Sequence, residues 1–252
     1  MHRTNYEENI KNWWNLASSY YQEEISSDNM EDVNYGPFGS SEKKLHLLEK
    51  IKGKKILDIG CGGGQASIAL AKQGGICTGI DISEKQITAA VKNSKKEGVS
   101  VEFLISPFSS ISKFGKNVFD TAISIMSLQY CNDLSRLFND VNRLLRRDGL
   151  FVFSIEHPFY LIVNPATLKI NDSYFSEGIK REKETGTDGK SSYYLYYNRK
   201  ISTIVNLVVS AGFVVEKILE PMEKPDIIWG NGYRRALINK IGPTLIFKCR
   251  KI

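Results

Sequence analysis

The sequence predicts an α/β fold in which helices cover both faces of a doubly wound parallel sheet. Short apolar runs alternate with amphipathic helical patterns along most of the chain, and the first apolar run breaks into a glycine-rich loop followed by a helical pattern. Buried parallel strands are typically short, continuous apolar runs, and the helices that connect them pack on the two faces of the sheet. With 252 residues, the chain is long enough for one such domain with insertions.

The first predicted strand runs from Ile56 to Ile59 and leads into a loop with four glycines. Glycine lets the backbone turn tightly and lets a ligand approach it closely, and the first N–H groups of the following helix would point into the turn. The spacing from Asp58 to Gly64 is D-x-G-x-G-x-G. The dinucleotide fingerprint instead requires a third glycine where Gln65 stands. The loop therefore indicates a nucleotide-type binding element and disfavours NAD.

The second predicted strand, Ile76 to Ile80, ends at an acidic residue, Asp81. Ser83 then begins a helix, and Gln86 is placed to complete a capping box with it. An acid at this end of the second strand can accept hydrogen bonds from the two hydroxyls of a ribose. It could also be only a helix-start residue favoured by the helix dipole. The preceding glycine loop favours the ribose interpretation.

The later elements continue the alternation of strands and helices. The helix that begins near Leu134 is expected to end with Arg146 and Arg147, whose charges suit a helix carboxyl end, before Asp148 and Gly149 stop it. Apolar runs predict the remaining strands and one further helix. The predicted strands are 99–105, 119–125, 150–156, 213–221 and 243–251, and the helix is 201–212.

Composition and charge exclude several classes of protein. Charged residues make up 25% and hydrophobic residues 42%, no apolar stretch approaches the ~20 residues of a membrane span, and the N-terminus lacks the apolar core of a signal peptide. The four scattered cysteines show no metal-binding or CxxC spacing, which favours free thiols in a reducing, cytoplasmic compartment. The net charge of +6 admits an anionic partner, but the basic residues form no long block, so nucleic acid is not required.

Three segments lie outside the predicted sheet. Residues 1–45 form an N-terminal extension that begins with a helical pattern and becomes loop-like before the main domain at 46–252. Polar, glycine-containing insertions occur near 158–200 and 221–243. Because long connections in a compact domain usually act as lids or mobile segments, we expect both insertions to cover the substrate.

The segment LDIGCGGG resembles the first motif of the class I S-adenosylmethionine (SAM) methyltransferases. The stretch from FDTAISIMSLQY to SIEHPFY is similar to a branch of small-molecule methyltransferases with an S-x-E-H-P segment, and YNRKISTIVNLVVSAGF and the YGP at Tyr35 also have counterparts there. The resemblance implies a seven-stranded Rossmann-like sheet with an antiparallel last strand. It also implies in-line transfer of a methyl group from SAM to oxygen, nitrogen or carbon of a small molecule, leaving S-adenosylhomocysteine.

The resemblance further implies which residues bind SAM. Asp81 would hold the ribose, Ile82 would pack on the adenine, and Ser124 would offer its carbonyl to the ammonium group. Phe108 would donate its N–H to the adenine ring, although Pro107 stands where many relatives carry an acid. The methionine part of SAM would be surrounded by Asp58, Gly60, Cys61, Gly62 and Gly64.

Candidate catalytic residues lie near the same edge of the sheet. His157 follows the fifth predicted strand, at the edge where ligands of such sheets bind, and could act as a base, with Glu156 beside it as a second candidate. Both residues could instead only order the loop that follows. Tyr20, Tyr35 and Tyr130 have family counterparts near the sulfonium, and Tyr130 is also a catalytic candidate.

Three classes of function stay open at this level. The first is a methyltransferase for a small molecule of anionic or aromatic character. The second is a tRNA or protein methyltransferase on the same fold, motivated by the isoelectric point of about 9.0. The sequence lacks the N/D-P-P-Y/F run used for many exocyclic base amines, which disfavours part of that class. The third is a non-enzyme or an NAD-type binder, which Gln65 disfavours. No metal site is predicted.

Overall fold

The apolar runs of the sequence form strands that are buried on both faces of a sheet. The computed structural model describes residues 3–25, 30–164, 166–185, 191–222 and 235–252. Its strands are β1 (Lys55–Ile59), β2 (Ile76–Asp81), β3 (Glu102–Ile105), β4 (Phe119–Ile125), β5 (Leu145–Glu156), β6 (Gly178–Thr185), β7 (Ser191–Asn198), β8 (Phe213–Leu219) and β9 (Thr244–Lys251). Its helices are α1 (Arg3–Ile25), α2 (Glu42–Leu45), α3 (Gln65–Lys72), α4 (Glu84–Lys96), α5 (Leu134–Leu144), α6 (Pro158–Leu161), α7 (Ile201–Ser210) and α8 (Arg235–Ile238).

Seven of the strands form one mixed sheet in the order β3-β2-β1-β4-β5-β9-β8. Strand β1 pairs in parallel with both β2 and β4, whereas β9 is antiparallel to both β5 and β8. The predicted seven-stranded sheet with an antiparallel last strand is therefore confirmed. The strand order reverses at β1, and the carboxyl end of a strand at such a point is where sheets of this kind bind ligands.

Two apolar layers cover the sheet. Helices α5 and α7 pack on one face, around a group of phenylalanines in which Phe153 stacks on Phe247 with ring centroids 4.7 Å apart. Helix α3 and residues 33–51 cover the other face. Burial of each large side chain stabilises the fold by about 1.5–3 kcal/mol, so the two layers hold the carboxyl ends of the strands in fixed positions.

Two predicted boundaries are wrong. Helix α5 ends at Leu144, and the chain passes directly into β5, so Arg146 and Arg147 lie in a strand rather than in the last turn of a helix. Leu145 is fully buried and pairs with Phe119 of β4, and this packing prevails over the helix-end signal of the two arginines. The third strand is also shorter than predicted, because its regular pairing begins only at Glu102.

The extension and the first insertion pack against each other over one edge of the sheet. Helix α1 lies across α4 and β7, and its residues Tyr6 and Ile10 are buried in a cluster with Tyr130 and Leu195. Strands β6 and β7 form a separate antiparallel pair within the insertion at 158–200. The pattern of residues 193–197 predicts a strand with one buried face, and this run lies in β7. Of the insertion predicted at 221–243, residues 223–234 lie outside the described residues.

Three further observations bear on the predicted class of protein. None of the helices that the structure describes combines the length and the apolar character needed to cross a membrane. The four cysteines are all buried and occur as free thiols. Within the described ranges, His, Cys, Asp and Glu side chains form no group of three placed to hold a metal ion.

Candidate active site

The glycine loop after β1 folds back onto the end of β2. The N–H groups of Gly60 and Cys61 both donate to the carbonyl of Ile80, at 2.8 and 2.9 Å. Gly60 has a φ of +75°, and Gly64, the N-cap residue of α3, has a φ of +81°. Residues with a Cβ rarely adopt such values. The loop therefore presents bare backbone at the carboxyl edge of the sheet.

Asp58 supports this loop from below. The carboxylate is buried, and its Oδ2 accepts a hydrogen bond of 2.7 Å from the hydroxyl of Ser67 in α3. Burial raises the pKa of Asp58 to about 7, and the nearby charge of Asp81 acts in the same direction. Through this hydrogen bond Asp58 joins β1 to α3, the helix that follows the loop, and so fixes both ends of the loop.

Asp81 holds the other side of the loop. Its Oδ2 accepts from the N–H of Gly62 at 3.0 Å, and its Oδ1 accepts from the N–H of Ser83 at 2.9 Å. Burial raises the pKa of Asp81 to about 6, although these backbone donors lower it. The carboxylate thus fixes the middle of the glycine loop and also reaches the cavity described next.

The capping box predicted for α4 is only half formed. The Ser83 hydroxyl accepts from the N–H of Gln86 at 3.2 Å, as predicted, but the N–H of Ser83 is bonded to Asp81 instead of to the Gln86 side chain. The carboxylate of Asp81 competes successfully for this donor because it lies two residues away. The Gln86 side chain is therefore directed to the cavity wall.

A cavity of about 720 Å³, including its mouth, opens at the carboxyl ends of β1, β2 and β4. Four parts of the chain form its wall: the glycine loop with the start of α4, the turn after β3, the segment after β4, and one face of α1. The lining residues are Tyr6, Glu7, Ile10, Trp14, Tyr21, Gly60, Gly62, Asp81, Ile82, Gln86, Ser106, Pro107, Phe108, Ile125, Met126, Ser127, Tyr130, Cys131 and Asn132.

The structure brings together six of the residues predicted to form the site. Those in the cavity wall are Gly60, Gly62, Asp81, Ile82, Phe108 and Tyr130. Cys61 and Ser124 are buried behind it, and the Ser124 hydroxyl donates to the carbonyl of Ile59 at 2.8 Å. Gly64 lies farther along the loop, where a Cβ would be 2.7 Å from the ring of Phe103. The side chain of Tyr20 lies outside the described residues.

Tyr35 is placed differently from the prediction. Its ring is fully buried in the core beneath the sheet, with Leu47 among its neighbours, and its hydroxyl donates to Glu42 Oε2 at 2.6 Å. This buried carboxylate satisfies the hydroxyl, so the residue stabilises the segment before β1. The YGP motif therefore contributes to packing of the extension rather than to the cavity wall.

His157 is likewise committed to local structure. Its Nδ1 accepts from the N–H of Phe159 at 3.1 Å and caps α6, and its Nε2 lies 3.0 Å from Glu220 Oε1. The backbone N–H of His157 donates to the carbonyl of Pro243 at 2.8 Å. These contacts support the alternative that His157 orders the loop after β5. Glu156 is half-buried beside it and accepts from the Tyr194 hydroxyl at 3.4 Å.

Several wall residues were missed by reasoning from the sequence. Ser127 follows β4 at the carboxyl edge, a position that could have been recognised, and its hydroxyl donates to the carbonyl of Ile59 at 2.8 Å. Tyr6, Glu7 and Trp14 come from α1, and nothing in their local pattern indicates that this helix covers the cavity. Their placement depends on long-range packing.

A chain of amide groups links α1 to the glycine loop. Gln65 Nε2 donates to Gln22 Oε1 at 2.9 Å, and Gln22 Nε2 donates to Gln86 Oε1 at 2.7 Å. Gln22 lies so close over the loop that a Cβ on Gly63 would be 2.5 Å from its Nε2. Gln86 is almost completely buried, and no described atom accepts a hydrogen bond from its Nε2. A buried donor of this kind is costly unless a ligand or water satisfies it.

Comparison with known proteins gives the following matches. Residues 57–153 match the Methyltransf_11 family, a methyltransferase domain. An uncharacterised protein of Haemophilus influenzae is 28% identical over 82% of this chain and 85% of its own length. A ubiquinone biosynthesis O-methyltransferase of Coxiella burnetii is 31% identical over 44% of this chain and 52% of its own, so the chain spans about half of that relative. The magnesium protoporphyrin IX methyltransferase of Synechocystis PCC 6803, solved with bound S-adenosylhomocysteine, superposes with a TM-score of 0.62 at 16% identity, covering 98% of this chain and 100% of that one.

The matched region contains the parts that build the cavity floor. It begins in β1, includes the glycine loop, Asp81 and the segment after β4, and ends at Phe153 in β5. The superposition independently supports the fold. Residues 57–153 therefore match a methyltransferase domain, and the chain has the Rossmann-like fold of methyltransferases.

Proposed function

We propose that this protein transfers the methyl group of SAM to a small, neutral, aromatic acceptor that binds beneath α1. The observation that carries the proposal is a cavity that joins the backbone of the glycine loop and the Asp81 carboxylate to an aromatic wall. SAM, when bound, supplies an activated methyl group, and the protein supplies orientation and exclusion of water. Orientation alone can lower the barrier by about 7–11 kcal/mol.

The chemical character of the cavity floor fits SAM. Gly60 and Gly62 leave room for a ligand against the backbone, and Asp81 offers carboxylate oxygens to the ribose hydroxyls. The Gln86 Nε2 group is a buried donor that a ligand oxygen would satisfy. Ile82 and Phe108 offer apolar surface for the adenine ring, and Pro107 provides no side-chain acceptor for its amino group. We therefore assign the adenine end mainly to packing.

The wall opposite the floor supports an aromatic acceptor. Trp14 meets the ring of Tyr130 edge-on, with centroids 5.5 Å apart, and Tyr21 packs edge-on against Trp14 at 5.2 Å. Such a wall favours a flat apolar molecule. Glu7 is an acidic residue in the same wall, which disfavours an anionic acceptor. The O-methyltransferase relatives favour oxygen as the methylated atom.

The position of α1 over the cavity also favours a small molecule over tRNA or a protein. Helix α1 covers the cavity and packs on α4 and β7, so a macromolecular acceptor would have to displace it.

Calorimetric titration tests the cofactor assignment. We expect S-adenosylhomocysteine to bind with a dissociation constant in the micromolar range, about −8 kcal/mol, and NAD to show no binding under the same conditions. Transfer from methyl-labelled SAM would then be measured on neutral phenols, aromatic acids, tRNA and a protein mixture. Label on the phenols supports the acceptor class. Label confined to tRNA or protein contradicts it, and binding of NAD in preference to S-adenosylhomocysteine contradicts the function.

Replacement of Gln86 by leucine tests the proposed role of its amide. We expect the affinity for S-adenosylhomocysteine to fall by about threefold to tenfold, the value of one net hydrogen bond. The loss of folding stability should be small, because removal of the unsatisfied donor offsets the loss of the hydrogen bond from Gln22. Calorimetry and urea unfolding measure the two effects. Gln73→Leu is a control on the exposed end of α3. Equal affinities of the Gln86 variant and the native protein would show that the amide does not contact the cofactor.

A further inference from the structure

Two tyrosine hydroxyls and a carboxylate form a row that begins at Tyr130 in the aromatic wall of the cavity. The Tyr130 hydroxyl lies 3.0 Å from that of Tyr194, and Tyr194 donates to Glu156 Oε2 at 3.4 Å. Tyr130 belongs to a short turn after β4 and lines the cavity, Tyr194 lies on β7, and Glu156 is the last residue of β5. The row thus runs from the cavity wall to a half-buried carboxylate behind it.

We propose that Tyr130, Tyr194 and Glu156 form a proton relay that removes the proton of the methyl acceptor. The acceptor would accordingly be a compound with an O–H or N–H group, such as a phenol. This inference rests on the proposed function and adds to it the chemical class of the reacting atom. Tyr130 is the residue that would touch the acceptor, whereas Tyr194 and Glu156 act through it.

Packing holds the relay in one geometry. The Tyr194 ring contacts Trp13, Tyr130 and Tyr196, with centroids 4.8, 5.7 and 5.4 Å away. The backbone carbonyl of Tyr130 accepts a 3.1 Å hydrogen bond from the hydroxyl of Tyr6, which ties the turn to α1. Because these contacts already order both tyrosine side chains, holding the two hydroxyls together during the reaction requires no further loss of side-chain entropy.

The protons and electrons balance along the row. The acceptor O–H donates to the Tyr130 hydroxyl oxygen, Tyr130 donates to Tyr194, and Tyr194 donates to the Glu156 carboxylate. As the acceptor oxygen forms its bond to the methyl carbon, the electron pair of the carbon–sulfur bond stays on sulfur, and each proton moves one place. Both tyrosines end neutral and Glu156 ends protonated. No tyrosinate is required, which fits the burial that raises the pKa of Tyr130 well above its usual value.

The surroundings of Glu156 suit a terminal proton acceptor. Burial raises its pKa to about 7, the hydrogen bond from Tyr194 lowers it, and the charge of Glu182 raises it. Tyr160 and Tyr196 also lie near this carboxylate. Arg199 shares a small cavity with Glu156, but its guanidinium donates to the carbonyls of Cys131 and Asn132.

The sign of the pH dependence follows from this raised pKa. Glu156 can accept a proton only when it is ionised, so methyl transfer should increase as pH rises through about 7 and decrease below it. The neighbouring His157 is bonded to Glu220 through Nε2 and to the N–H of Phe159 through Nδ1. A carboxylate near neutrality has the proton affinity that efficient general-base catalysis requires.

Replacement of Tyr194 by phenylalanine interrupts the relay while the ring keeps its packing. With a phenol acceptor, we expect kcat to fall by about a hundredfold, within the usual range for general-base catalysis, and the dissociation constant of S-adenosylhomocysteine to stay unchanged. Glu156→Gln should remove the rise of the rate with pH. Tyr193→Phe is the matched control, since this tyrosine lies on the same strand but is exposed to solvent.

The outcomes separate failure of the relay from failure of the proposed function. If the native protein does not bind S-adenosylhomocysteine, the function itself is wrong. If it binds, and Tyr194→Phe keeps the native kcat and pH profile, the relay is overturned. Should none of the phenols be methylated, infrared titration from about pH 5 to about pH 9 decides. Because burial also raises the pKa of Asp58 to about 7, the native spectrum is compared with that of Glu156→Gln. A protonated-carboxyl band in this difference that disappears near pH 7 and shifts in Tyr194→Phe supports the relay, and its absence from the difference overturns it.

Discussion

Replacement of Asp81 by alanine is expected to weaken the binding of S-adenosylhomocysteine by at least about a hundredfold. A hydrogen bond to a charged group contributes about 1.5–3 kcal/mol, and the variant would lose the carboxylate proposed to hold the ribose. It would also leave the N–H of Gly62, which now donates to Asp81 Oδ2 at 3.0 Å, without its acceptor. Both effects act on the cofactor site, one directly and one through the glycine loop.

Calorimetry with Asp81→Ala and a matched aspartate variant checks this expectation. Asp32 also accepts two backbone N–H groups, from Val33 at 2.9 Å and Lys43 at 3.1 Å, but in the segment before α2. Asp32→Ala should therefore lower stability without changing the affinity. Asp81→Asn, which keeps the size of the side chain, should show an intermediate loss. If Asp81→Ala binds S-adenosylhomocysteine with the native affinity, the carboxylate only stabilises the glycine loop and the start of α4.

Replacement of Gly60 by alanine is expected to lower the free energy of unfolding by about 3 kcal/mol or more and to abolish cofactor binding. The residue has a φ of +75°, and an added Cβ would lie 2.5 Å from Ser127 Oγ and closer still to Ser127 Cβ. Ser127 cannot easily retreat, because its hydroxyl lies within hydrogen-bond distance of both the Ile59 carbonyl and Ser124 Oγ. The loop would have to move out of the geometry that Asp81 holds.

Gly98 separates the collision from the backbone strain. Its φ is +68°, close to that of Gly60, but a Cβ there would meet no described atom within 4 Å. Gly98→Ala should therefore cost only the strain of a left-handed residue, about 1–2 kcal/mol, and leave the affinity for S-adenosylhomocysteine unchanged. Urea unfolding of both variants measures the difference. Equal losses of stability would show that contact with Ser127 is unimportant.

Much of the fold and part of the site were predictable because their signals are local. The apolar run before Asp58, the glycine spacing and the acid at Asp81 each report burial or backbone conformation at their own positions, and the structure places these groups together. The ends of elements were less predictable. Leu145 carries no local signal that its burial against β4 would end the helix two residues before Arg146.

Side-chain partners that are distant in sequence were outside the reach of such signals. The spacing of Ser83 and Gln86 matched a capping box, but the N–H of Ser83 donates to the Asp81 carboxylate instead. The Gln86 side chain lines the cavity. Tyr194 matched a half-buried strand, and only the packing of β7 on the turn after β4 brings its hydroxyl to Tyr130. Tyr35 matched a family motif and is bonded to Glu42 in the core.

The sequence by itself thus determined the parallel sheet, the glycine loop and the acid that faces it, and hence the methyl donor. Backbone conformation and strand burial depend on neighbouring residues, so a linear pattern is sufficient to specify them. Only the tertiary structure decided that α1 covers the cavity and that Tyr130, Tyr194 and Glu156 form one row. These groups meet because separate elements pack against one another, and the periodicity of each element shows which of its faces is buried but not what covers that face.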